Sequence, residues 1–161
     1  AALIGSAATG IRQGTALTKK QWNLENILPH VATHLPLAAL FGMEIIAAEP
    51  GRSRVRLVGN EHIRRPGGSI AGPVLFAMAD VATYALTLAL RHEETAVTSS
   101  LLMNFLRPAF APPLIAEAVP LRAGKSLLTY DIRIWSEADG PDRLIAQATA
   151  TWVAAPGAAR S

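Results

Sequence analysis

Between Arg65 and Arg91 the chain carries one acidic residue, Asp80, and no basic one. An apolar helix of this kind is normally buried. A carboxylate placed there costs several kcal/mol unless it is paired or protonated. Positions that tolerate such a cost are often the ones that do acid–base or nucleophilic chemistry. Eight residues upstream lies Gly72, followed by Pro73. A proline in the first helical turn gives up no needed N–H, so Gly72-Pro73 suits a helix start. A glycine there lets a ligand approach a backbone N–H, and the free N–H groups and partial positive charge of a helix start suit an oxyanion developing on a carbonyl.

The spacing limits how these two residues can cooperate. Eight residues of helix span about 12 Å, too far for a carboxylate to attack a carbonyl held at its own helix start. If both act on one substrate, they come from different copies of the chain, which requires an oligomer. Two plainer readings stand beside this one. Asp80, Thr83, Tyr84, Thr87 and Arg91 follow helical spacing and could be the solvated stripe of an amphipathic helix. Gly67, Gly68 and Gly72 could serve only a tight turn.

The remaining elements must position that helix. Residues 19–28 suit a short helix, which Pro29 and Pro36 are expected to end, and 37–41 suit one further turn. Residues 43–48 and 53–58 read as a hairpin around Glu49-Pro50-Gly51, with Val55 and Leu57 on one face and Arg54 and Arg56 on the other. After the long helix the pattern turns to strands at 96–106, 114–122, 126–135 and 144–153. Pro120 marks an edge or bulge. Leu128, Tyr130, Ile132 and Ile134 alternate with Thr129, Asp131 and Arg133. The expected fold class is α+β, a sheet wrapped around one long apolar helix. One domain is expected over 19–154, between a flexible tail at 1–18 and a second tail at 155–161.

Composition narrows the function. The 161 residues are 50% hydrophobic and the mean hydropathy is +0.27, so excess apolar surface is available for a subunit interface. The net charge of +3 suits an anionic partner or ordinary solubility. Nucleic-acid binding is not expected, because the basic residues are dispersed and only 6% of residues are aromatic. The lack of Cys excludes thiolate chemistry and Cys-ligated metals and fits a cytoplasmic location. The first ten residues show no secretory pattern. Asp80 argues against a membrane span for the long helix.

Several stretches resemble one family. They are Arg65-Pro-Gly-Gly-Ser-Ile-Ala-Gly-Pro73, Ala77-Met-Ala-Asp80, Asn104-Phe-Leu-Arg-Pro108, Gly124-Lys125-Ser126 and Leu144-Ile-Ala-Gln-Ala148. In this order and spacing, over 37–153, the chain resembles the hotdog-fold acyl-CoA thioesterases of the phenylacetyl-CoA, PaaI-like type. The resemblance implies a curved antiparallel sheet around a long central helix, and homodimers or homotetramers with active sites between subunits. It implies hydrolysis of acyl-CoA without metal or redox cofactor. It places Asp80 on the catalytic acid, as general base or nucleophile, Gly72 on the glycine whose N–H polarises the thioester carbonyl, and Thr98 where a hydroxyl orients the attacking water. The chain departs from the family where His-Gly-Gly is common, having Ala71, Gly72 and Pro73, and has Arg65 where Asn or Gln is common. A hotdog domain that binds acyl-CoA or another small ligand without turnover is therefore the alternative. Arg65, Gly68, Pro73, Arg107 and Lys125 are the candidates for substrate and CoA contact, the basic ones for its phosphates. The first part of the long helix and residues 37–41 are expected to line an apolar tunnel.

Other chemistries fit less well. His30 and His34 have the i, i+4 spacing of a metal pair, but no base-supplying Glu lies between them and prolines bracket them. His62 and His92 read as loop histidines. Gly67-Gly68-Ser69-Ile70-Ala71 lacks the last glycine of a nucleophile elbow, and the strand pattern does not suit a serine hydrolase.

Overall fold

A computed structural model describes residues 20–153; the tails expected at 1–18 and 155–161 lie outside the described residues. The chain runs through α1 (Leu24–His34), α2 (Pro36–Leu40), β1 (Met43–Glu49), β2 (Arg52–Leu57), a single 3-10 turn (Glu61–Ile63), α3 (Gly72–Arg91), β3 (Val97–Phe105), β4 (Leu114–Ala123), β5 (Leu127–Ser136) and β6 (Leu144–Val153). The six strands form one antiparallel sheet in the order β1-β2-β4-β5-β6-β3. All six touch α3. This is the expected sheet around one long helix.

Residue size explains how close the helix comes. Ala79, Ala82, Ala85 and Ala89 of α3 are buried, and so are Ala116, Ala118, Ala146, Ala148 and Ala150 of the sheet. Small side chains on both surfaces bring the layers together, and Leu86, Leu88, Leu114, Tyr130, Ile132 and Ile134 fill the space around them. The expected alternation holds in β5, where Leu128, Tyr130, Ile132 and Ile134 face the core. It also holds in β2, where Val55 and Leu57 are buried. Arg54 and Arg56, on the other face of β2, meet Glu117 at 2.6 Å and Glu137 at 2.9 Å. Pro120 sits at a register shift of the β4–β5 ladder and beyond the last residue paired with β2, so the expected bulge is there and its missing N–H costs the β2 ladder nothing. Among the described helices α3 alone is long and apolar enough to cross a bilayer, and the sheet encloses most of it.

Two expectations fail at the N-terminal side. Pro29 does not end α1, which starts later than expected and runs through to His34. Its start is set by reciprocal bonds between Asn23 and Asn26, and the buried Ile27 and Val31 hold it against the domain. That packing outweighs the one backbone bond the proline removes. Residues 37–41 line no cavity containing Gly72 or Asp80. Ala38 and Ala39 instead border a groove with Leu28, Val31 and β1, while Leu37 and Leu40 are exposed.

Candidate active site

Asp80 lies at the middle of α3, half-buried rather than enclosed. The Thr98 hydroxyl, on the second residue of β3, donates to Asp80 Oδ1 at 2.7 Å. This charge-assisted bond holds one carboxylate oxygen and leaves the other for a substrate or water. Both residues open into a cavity of about 260 Å³ whose walls include His34, Tyr84, Val97 and Trp152.

The walls are tied down. Trp152 Nε1 donates to Thr83 Oγ1 at 2.9 Å, and the Tyr84 ring stacks on Trp152. The Tyr84 hydroxyl bonds His30 Nε2 at 2.8 Å. Burial, with the Glu94 carboxylate adding to it, raises the Tyr84 phenol above its ordinary value. Burial first, and then neighbouring His34, lowers His30 below the usual imidazole value. The solvated-stripe reading fails here. Thr83 and Thr87 are 0% exposed, Thr83 donating to the helix backbone and Thr87 bonding the Tyr130 hydroxyl.

Gly72 is the first residue of α3, and its surroundings reduce that helix start to one backbone donor. The Ile70 N–H goes to the Ala109 carbonyl, the Ala71 N–H to Ile63 and the Val74 N–H to Ala71, while Pro73 has none. The Gly72 N–H has no acceptor within its own helix. It borders a second cavity of about 440 Å³, with Arg65, Ser69, Phe105 and Arg107 among its walls. A Cβ on Gly72 would meet Phe105 Cζ at 3.3 Å, so the absence of a side chain keeps this approach open.

The candidate binding residues divide. Arg65 and Arg107 border the Gly72 cavity, and Arg107 Nη1 donates to the Leu144 carbonyl at 2.7 Å. Gly68 and Pro73 are exposed and line neither cavity. Gly68, at a φ of 81°, shapes the preceding turn, and its carbonyl accepts from Arg64 at 2.6 Å. The same Arg64 nitrogen reaches the Phe110 carbonyl at 2.8 Å and so joins two loops, a role the sequence did not suggest. Lys125 lies at the opposite end of α3, where its carbonyl accepts from Arg91 at 2.8 Å. A helix of 20 residues is about 30 Å long, so within one chain Lys125 cannot serve the Gly72 cavity.

One pair of histidines differs from expectation. His30 and His34 do share one helix, with ring centroids 4.5 Å apart. His92 accepts from the Trp22 N–H. No group of three or more potential metal ligands occurs among the described residues. The aromatic wall of the Asp80 cavity was missed in the sequence, although Tyr84 stands one helical turn after Asp80.

Residues 67–153 match the family model of the thioesterase superfamily. A protein of Saccharolobus solfataricus, named as a candidate esterase, is 36% identical over 112 residues, covering 70% of this chain and 73% of that protein. The solved structure of a candidate thioesterase from a Silicibacter species is 31% identical with a TM-score of 0.72, covering 86% of this chain and 96% of that one. The E. coli PaaI protein from the phenylacetic acid degradation operon is 25% identical with a TM-score of 0.71, covering 83% and 95%.

Proposed function

We propose that this chain, which belongs to the thioesterase superfamily as a hotdog-fold hydrolase of the PaaI-like type, cleaves an acyl-CoA thioester to free acid and CoA. One observation carries the reading. The chain has the two parts a thioester hydrolysis needs, a held carboxylate at Asp80 and an open backbone donor at Gly72, and keeps them in separate cavities.

In this reading the Gly72 N–H of one protomer donates to the thioester carbonyl oxygen and stabilises the charge that develops there. The free carboxylate oxygen of Asp80, from a second copy, takes a proton from water as the water oxygen bonds to the carbonyl carbon. The C–S bond then breaks, and the proton held on Asp80 passes to the leaving sulfur, so that CoA departs as its thiol. Direct attack by Asp80 would give an anhydride that water opens to the same products. Thr98 donates to Asp80 and keeps lone pairs with which to accept from the attacking water. Arg65 and Arg107 meet the anionic part of the substrate, and Lys125 is reserved for the copy facing it. No metal or redox cofactor is required, and a cytoplasmic setting fits the absence of Cys.

The homo-oligomer, dimer or tetramer, is part of the proposal. β3 is an edge strand, and Leu102 on it is 67% exposed. Open edges with apolar side chains favour pairing with another chain.

The test is thiol release from a panel of acyl-CoAs, with the parent and Asp80→Asn measured side by side. Asn cannot accept the proton, so a rate loss on the order of 10²–10⁴ is expected, with the fold retained. Equal rates would remove Asp80 from the mechanism. Binding without turnover on any substrate would instead identify a ligand-binding hotdog domain.

A further inference from the structure

Arg64 borders neither the Gly72 cavity nor the Asp80 cavity. Its Nη1 donates to the Gly68 carbonyl at 2.6 Å, in the turn before α3, and to the Phe110 carbonyl at 2.8 Å, in the loop after β3. Among the described residues no backbone N–H donates to either carbonyl. The two segments are the two sides of the Gly72 cavity: Arg65 and Ser69 line it from one, Arg107 and Ala109 from the other. The backbone at Arg64 is extended, at a φ of −98° and a ψ of 150°, which sends neighbouring side chains to opposite sides. Arg65 therefore lines the cavity while Arg64 is free to tie its walls together.

The turn has little else to hold it. Arg65, Gly67 and Gly68 are exposed, and a Cβ on either glycine would meet no atom within 4 Å. Its backbone tie to the loop is the Ile70 N–H bond to the Ala109 carbonyl at 2.7 Å, at the end nearest α3. Arg64 adds a second tie, at Gly68 near the tip. Bonds from a guanidinium to a carbonyl are stronger than neutral ones.

We propose that Arg64 is a positioning residue of the thioester-binding cavity: one guanidinium nitrogen ties the Gly67-Gly68 turn to the loop after β3 and so sets the separation of Arg65 and Arg107 in the cavity beside Gly72. The inference rests on the acyl-CoA reading and deepens it. The Gly72 N–H is carried by α3 and does not depend on this tie, whereas the cavity walls do. Loss of Arg64 therefore weakens substrate binding and spares the chemical step.

The experiment measures acyl-CoA hydrolysis, melting temperature and amide hydrogen exchange for the parent, Arg64→Gln and Arg64→Lys. Arg64→Gln should raise KM about tenfold, the worth of one hydrogen bond to a charged group, with kcat and melting temperature close to parental values. Arg64→Lys should stay near the parental KM, because both bonds come from one nitrogen and an ammonium carries three donors. In the free protein, Arg64→Gln should speed exchange in residues 65–70 and 106–111 together and leave β3 unchanged. A fall in kcat and melting temperature at constant KM would make Arg64 merely structural. A raised KM with unchanged exchange would make it a direct substrate contact. Either result overturns the inference, as does a Lys variant as impaired as Gln. If the parent hydrolyses no acyl-CoA, the thioesterase reading fails separately, and exchange alone decides the tie: faster exchange in both segments supports it, and unchanged exchange overturns it.

Discussion

The middle and the start of α3 meet their surroundings in opposite ways. At the middle, Asp80 is held by Thr98 and faces Tyr84 and Trp152, which stack on each other and are bonded from behind by His30 and Thr83. At the start, Gly72 offers a backbone N–H, and neighbouring bonds consume the other donors around it. The contrast follows from the groups involved. A carboxylate on a rotatable side chain needs a partner to fix which oxygen is free. A backbone donor is already fixed by its helix and needs only that nothing cover it.

The largest effect should come from separating the two regions genetically. In Gly72→Val, side-chain atoms at the helix start would press on Phe105 and cover the N–H. A rate loss on the order of 10²–10³ is expected, the worth of one oxyanion donor. Co-refolding Gly72→Val with Asp80→Asn should then restore about a quarter of parental activity, since half the dimers would be mixed and each mixed dimer would keep one intact site. Hybrids as inactive as either variant alone would break the two-copy arrangement.

A smaller effect should follow from releasing the carboxylate at the middle. Thr98→Val removes the hydroxyl at nearly constant shape. A fall in kcat of about tenfold is expected, the worth of one hydrogen bond to a charged group. Thr98→Ser should retain most of the rate, and the two variants compared by thiol release test whether the hydroxyl itself matters.

The smallest effect concerns the helix that braces the Asp80 wall. His30 is held below its ordinary value near 6.5, chiefly by burial, with His34 and Lys20 acting in the same direction and Glu94 against it. The unfolded chain therefore takes up the proton at a higher pH than the folded one. The stability His30 contributes is present above about 6.5 and is lost as pH falls through the lower folded value. Melting temperatures between pH 7 and pH 5 should fall more steeply for the parent than for His30→Gln. Parallel slopes would show that this helix does not sense the proton.

Much of the fold was legible because periodicity is local. The alternation of β5 and the apolar run of α3 each announce their partner surface within a few residues. The failures came where distant packing overrode a local rule. Pro29 is tolerated because Ile27 and Val31 are buried and the Asn23–Asn26 bonds set the start. At the candidate site, Asp80 and Gly72 stood out as exceptions in an apolar segment. His30 was weighed only as half of a metal pair and Tyr84 only as part of a solvated stripe, and nothing near Trp152 in the chain marks it as their partner.

The sequence by itself determined that a lone carboxylate and an open helix start lie on one helix, about 12 Å apart, because helical rise is constant. From this followed the expectation that, if both act on one substrate, they come from two copies of the chain. Only the tertiary structure decided what each group meets. Thr98 reaches Asp80 from the edge strand β3, which pairs with β6 rather than with the strand that follows it in the chain. Lys125 falls at the far end of α3 because the β4–β5 turn lies beside Arg91. Arg64 reaches Phe110 because the loop after β3 passes beside the turn before α3. Such meetings depend on strand order, which joins residues far apart in the chain and leaves no period in the sequence to read.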